Sequence, residues 1–175
     1  MTSWPATKPP EPPPNNDTRP LDACYASSKD DWETPRWLYD AYDRVYQFDL
    51  DVCATADTAK CDRWYGPAHD ALMQPWDGRI WCNPPYGRQV EPWIARAIWA
   101  VQSVKTAPVA VLLLPSRTDT RWFHRQLYQA PGVQLDFLPG RLQFVGAASS
   151  APFPSLVAII TPIPSRKPPS SGVLQ

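Results

Sequence analysis

Asn83-Pro84-Pro85-Tyr86 is the stretch of this sequence best equipped for chemistry. Two consecutive prolines fix both of their φ angles and stiffen the loop. They also bias Asn83 away from the helical region, so its side chain projects from the end of any strand that precedes it. A carboxamide oxygen and a rigidly placed main-chain carbonyl are two acceptors that can share one amino group. An aromatic ring three residues on can stack against a planar ring. This set suits an exocyclic amine acting as nucleophile, whose lone pair is delocalised into its ring and attacks poorly. Acceptors on both N–H bonds favour a pyramidal nitrogen and stabilise the positive charge that grows as a methyl group is transferred, without a strong general base. The competing reading is a proline-stiffened turn in which Asn83 caps the following helix.

Several elements must position that loop. The Asp77-Gly78 turn precedes Arg79-Ile80-Trp81-Cys82, a short strand leading directly into Asn83. Val90, Ile94, Ala97, Ile98 and Val101 form one helical stripe through 89–104, with Pro92 in the first turn, where it is tolerated. Upstream, Thr34 as N-cap and Pro35 as first helical residue open a helix over 35–46, and Phe48 to Val52 alternates like a strand. Val109 to Leu114 is a continuous apolar run that fits a strand buried on both faces. Thr118 or Asp119 caps a helix carrying Trp122, Phe123 and Leu127, and Val133 to Leu138, Arg141 to Val145 and Leu156 to Ile160 read as closing strands. Strands alternating with helices predict an α/β sheet covered on both faces, and ligands of such sheets bind outside the strands' carboxyl ends.

The 175 residues predict one domain over 27–161, flanked by proline-rich tails at 1–26 and 162–175 that hold too little apolar surface to fold. No apolar run approaches the ~18–20 residues of a membrane span, and nothing at the amino terminus resembles a secretory signal. The four cysteines form no C-x-x-C pair and there are only two histidines, so no metal site is expected. Net charge is zero, yet residues 30–77 hold eleven acids against four Lys or Arg, and residues 78–145 hold eight Lys or Arg against three acids. A basic face from the second half fits a nucleic-acid partner.

The ordered set Asp31-Trp32-Glu33-Thr34-Pro35, Phe48 to Ala54, His69 to Leu72, Trp76, Asn83 to Gly87, Leu114 to Thr120, Gly140 to Phe144 and Pro152-Phe153-Pro154-Ser155 resembles the phage-type DNA N6-adenine methyltransferases, the small Dam-like family of bacteriophages and prophages. The resemblance spans roughly 28–161. It implies a Rossmann-like fold of the S-adenosylmethionine-dependent methyltransferases, with a mostly parallel sheet, one antiparallel strand near its edge and helices on both faces. It also implies transfer from S-adenosylmethionine to adenine N6 in duplex DNA by base flipping, inside the cytoplasm of a bacterial host. The protein is taken as a monomer by default. Asn83, Pro84, Pro85 and Tyr86 would be catalytic. The Asp51 to Ala54 segment would be the cofactor loop after the first strand, with Asp51 and Cys53 in it, although the glycine-rich F-x-G-x-G form is missing. Trp32, Thr34 and Pro35 would flank the donor's amino-acid end, and Asp70 would accept from its adenine amine. Arg88, Arg117, Arg121 and Arg141 are candidates for DNA contact.

Each assignment has a plainer counterpart. Asp51 and Asp70 read equally as loop carboxylates or caps, the arginines as surface ion-pair partners, Trp32 as pocket wall and Cys53 as a small buried hydrophobe. Alternative functions are methyl transfer to cytosine N4, RNA adenine or protein glutamine, or a non-catalytic nucleic-acid-binding relic. An intact Asn83 to Tyr86 tetrapeptide argues against the relic.

Overall fold

The computed structural model describes residues 32–87 and 89–163. The segment 1–26 and nearly all of 162–175 lie outside them, as does Arg88. Five strands form one mixed sheet: β1 (Leu50–Asp51), β2 (Arg79–Cys82), β3 (Val109–Pro115), β4 (Val133–Phe137) and β5 (Ser155–Ile160), in the order β1-β2-β3-β5-β4. β1, β2 and β3 pair in parallel, and β5 is antiparallel to both β3 and β4. Four strands therefore run one way, and β5 opposes them one place from the edge.

The period of two along the strands sorts side chains into two cores. On one face, Leu50, Ile80, Cys82, Ala110, Leu112, Leu114, Leu156 and Ala158 meet Val90, Trp93, Ile94 and Ala97 of helix α2 (Val90–Ile98). On the other, Trp81, Val109, Val111, Leu113, Val157 and Ile159 meet Leu38 and Tyr39 of helix α1 (Arg36–Tyr46), together with Leu142, Phe144 and Ala151. Every residue of β3 and β5 is buried, which explains the unbroken apolar run of β3 and of Leu156 to Ile160 in β5. The sheet is thus covered by helices on both faces.

Beyond one-residue differences at strand ends, several features depart from the sequence reading. Helix α1 begins at Arg36. Pro35 holds the N-cap position with extended backbone, and its carbonyl takes the N–H groups of Leu38 and Tyr39, while no side chain caps the helix. The strand expected over Phe48 to Val52 shrinks to Leu50–Asp51, flanked by N–H groups of Asp49 and Val52 that reach the Arg79 and Trp81 carbonyls, while the Asp49 carboxylate binds the backbone N–H and Nε of Arg79 at 2.8 and 3.1 Å. Neither Thr118 nor Asp119 caps the turn that follows β3. Thr120 Oγ1 donates to the Arg117 carbonyl at 2.7 Å, and Phe123–Leu127 winds as a short π-helix. Arg141 to Val145 is no strand of the sheet. Leu142 and Phe144 alternate because they pack onto a sheet face, and among the described residues the segment's one ladder contact is an isolated bridge between Glu33 and Val145. Elsewhere Arg79–Cys82 matches the expectation, and α2 continues through a π-helical turn, Trp99–Ser103.

Candidate active site

The β2–β3 ladder stops at the pair Cys82–Leu112, and the next residue, Asn83, opens a loop whose two prolines have no N–H to extend it. Asn83 to Gly87 therefore leaves the carboxyl end of β2 as a proline-stiffened segment, and α2 begins at Val90. Gly87 sits within it at φ +106°, a conformation L side chains rarely adopt.

Asn83 is held at both ends of its amide. Its Nδ2 donates to the main-chain carbonyl of Trp32, 51 residues earlier in the chain. A carbonyl can only accept, so this contact fixes which way the amide faces and leaves Oδ1 as its acceptor end. Oδ1 accepts from the Tyr86 hydroxyl at 2.9 Å, and the same hydroxyl lies 3.5 Å from the Leu113 carbonyl on β3. The Tyr86 ring meets Phe144 and Phe153 edge-on, at centroid distances of 6.1 and 5.6 Å. Trp32 completes this aromatic group at 5.0 Å from Phe144 and 5.5 Å from Phe153. Burial pushes the Tyr86 phenol well above its ordinary pKa, with the neighbouring Cys82 and Cys53 thiols adding to the shift, so the hydroxyl stays a neutral donor.

Asp51 stands at the end of β1, only 3% exposed. Its Oδ1 accepts the Cys53 N–H and its Oδ2 the Lys60 N–H, both at 3.2 Å. Burial drives its pKa up to about 6, against the lowering effect of those two N–H groups and of the Lys60 charge. The backbone on either side is pinned as well: Asp51 N–H donates to the Arg63 carbonyl, and Ala54 N–H to the Tyr65 carbonyl, both at 2.9 Å. Lys60 Nζ reaches Glu33 Oε1 at 2.8 Å, joining this loop to the Trp32–Pro35 segment, where Thr34 and Pro35 are buried.

The structure thus brings Trp32, Thr34, Pro35, the Asp51 to Ala54 loop, Asn83 and Tyr86 into one bonded neighbourhood at the carboxyl edge of the sheet. Asp70 is different. It is exposed at φ +47°, after the 3₁₀ turn Pro67–His69, and no hydrogen bond links it to that neighbourhood among the described residues. Arg117, Arg121 and Arg141 are exposed and make no ion pair among the described residues. Arg117 follows β3 and so lies at the carboxyl edge. Among the described residues no group of three His, Cys, Asp or Glu is arranged to hold a metal, and no helix is long and apolar enough to cross a membrane. A separate shallow groove between Phe123–Leu127 and β4, lined by Phe123, Tyr128 and Phe137 among others, shares no residue with the Asn83 loop.

Sequence reasoning missed the roles of Lys60, Phe144 and Phe153. Lys60 was legible as one of only four basic residues among eleven acids. Both phenylalanines lie inside motifs named above, but nothing in their spacing says that they converge on Tyr86.

These features define an α/β protein with an amide-bearing, proline-stiffened loop at the carboxyl edge of its sheet. The profile of a family described as DNA N-6-adenine-methyltransferase (Dam) matches residues 23–160, and the chain belongs to that family. It is also similar to a protein of Escherichia phage T1 named DNA N-6-adenine-methyltransferase, at 29% identity over 98 residues. That stretch is 54% of this chain and 40% of the phage T1 protein, so the match spans less than half the length of the curated relative.

Proposed function

We propose that the protein is a site-specific DNA methyltransferase that moves a methyl group from S-adenosylmethionine to the N6 amine of adenine in duplex DNA. The observation that carries this reading is the Asn83 amide. Anchored through Nδ2 on the Trp32 carbonyl, it offers Oδ1 as an acceptor beside Tyr86. Asn83 Oδ1 and a main-chain carbonyl of the Pro84-Pro85 pair take the two N–H bonds of the amine, which stabilises positive charge growing on nitrogen. Tyr86 stacks on the base, which must leave the helix to reach this loop.

The residues also fit the donor, a cationic molecule. Asp51 is a buried carboxylate whose ionisation burial opposes, and a positive ligand beside its loop favours the charged form. Trp32, Thr34, Pro35, Asp51, Cys53 and Ala54 would hold it, with Asp70 taking its adenine amine, on a sheet used in the Rossmann-like manner. When bound, the sulfonium supplies an activated methyl group. Arg88, Arg117, Arg121 and Arg141 would meet DNA phosphates. The working unit in this reading is 27–161, a monomer acting in a host cytoplasm.

Incubation with isotopically labelled donor and either DNA, RNA or protein, followed by mass analysis of digested products, tests the reading. Labelled N6-methyladenine in DNA is the expected product. Label in N4-methylcytosine, RNA or glutamine, or in nothing, overturns it.

A further inference from the structure

Asn83 Oδ1 is the acceptor that the proposed chemistry requires, and it already has a donor of its own. The Tyr86 hydroxyl, three residues on, donates to it at 2.9 Å. A second acceptor for that hydroxyl, the Leu113 carbonyl, lies at 3.5 Å, the outer limit of a hydrogen bond. The ring packs edge-on against Phe144 and Phe153, which also touch each other, so a small movement of the oxygen exchanges one acceptor for the other without removing the ring.

We propose that the Tyr86 hydroxyl is a latch on the catalytic amide, competing with the target amine for Asn83 Oδ1 and passing to the Leu113 carbonyl when the amine takes that oxygen. The inference rests on the reading of the site as an adenine-N6 methyltransferase and deepens it. It gives the hydroxyl a role separate from the stacking face of the ring. Amine binding becomes an exchange of hydrogen bonds rather than a net gain, because a partly buried acceptor left without a protein donor is costly and the latch removes that cost beforehand. Together with the Trp32 carbonyl on Nδ2, the hydroxyl keeps the amide turned the right way. The consequence is a muted preference for bases that carry the amine.

Tyr86→Phe deletes the hydroxyl and keeps the ring. After the methylated sequence has been mapped, duplexes carrying either adenine or purine (which lacks the amine) at the target position are titrated into parent and variant. S-adenosylhomocysteine is present throughout. In the parent the amine replaces the hydroxyl, whereas in the variant it meets an unpaired oxygen. The ratio of purine Kd to adenine Kd should therefore be larger in Tyr86→Phe by roughly 2- to 10-fold, the range of one neutral hydrogen bond. Both duplexes are titrated into the same preparation, so any loss of folded protein cancels in the ratio. An equal or smaller ratio in the variant, with a parent that methylates adenine, overturns the latch alone. A parent that transfers no methyl group to adenine overturns the underlying reading and the latch with it.

Discussion

Lys60 Nζ lies 2.8 Å from Glu33 Oε1, while the backbone N–H of the same lysine donates to Asp51 Oδ2. One residue thereby joins the Trp32–Pro35 segment, which anchors Asn83, to the buried carboxylate at the end of β1. The lysine is mostly buried and the glutamate partly so, with side chains 11% and 30% exposed.

Lys60→Met keeps the apolar stem and removes the charge, leaving Glu33 without this partner. Stability should fall by about 1–2 kcal/mol, below the full worth of a buried charged hydrogen bond because Glu33 stays partly solvated. The Trp32–Pro35 segment should also loosen, so S-adenosylmethionine should bind several-fold more weakly. Calorimetric titration reads this directly. Equal donor affinity in parent and variant would detach the ion pair from the donor site.

Asp51 sets a pH dependence whose sign follows from its environment. Its folded-state pKa of about 6 is raised above the ordinary 3.8, so folding takes up a proton between those values. The stability it contributes is fully present below about pH 4 and is lost as pH rises through about 6. That loss amounts to about 3 kcal/mol, at ~1.4 kcal/mol per unit. Asp51→Asn cannot titrate. In denaturant unfolding, parent stability relative to Asp51→Asn should therefore decline from pH 4 to pH 7, and the change with pH is the readout rather than the size of the gap. A gap constant across that range contradicts the assignment.

Arg117 and Arg121 are exposed on the segment that leaves β3 at the carboxyl edge. If each meets a phosphate, replacing both by Gln should flatten the plot of log Kd against log salt by about two, near 0.9 per phosphate contact. An unchanged slope on duplex DNA would return them to the protein's own surface.

What could be read from the sequence depended on whether a signal was local. Arg79 to Cys82 and Val109 to Leu114 were legible because turn residues bound them and burial on both faces leaves an unbroken apolar run. Arg141 to Val145 misled because a segment lying flat on a sheet face alternates just as a paired strand does, and ladder hydrogen bonds leave no trace in composition. At the site, the tetrapeptide was legible as a stiffened loop after a strand, and the contact between Asn83 and Tyr86 spans only three residues. The Trp32 carbonyl on Asn83 spans 51 residues and is made by backbone, which carries no residue-type signal. The depth of Asp51 was hidden for a similar reason, since carboxylates are seldom buried and its two N–H partners are main chain.

The measurement closest to the central claim compares parent and Asn83→Ala in single-turnover methyl transfer to duplex DNA, with donor affinity measured on the same samples. In the proposed mechanism Asn83 Oδ1 acts as charge develops on the amine, so the transfer rate should fall ~100- to 1000-fold, the scale of losing one preorganised polar partner of a transition state. Donor affinity should change little. A transfer rate within a few-fold of the parent, with S-adenosylmethionine bound equally well, would contradict the account and reduce Asn83 to a cap on the turn before α2.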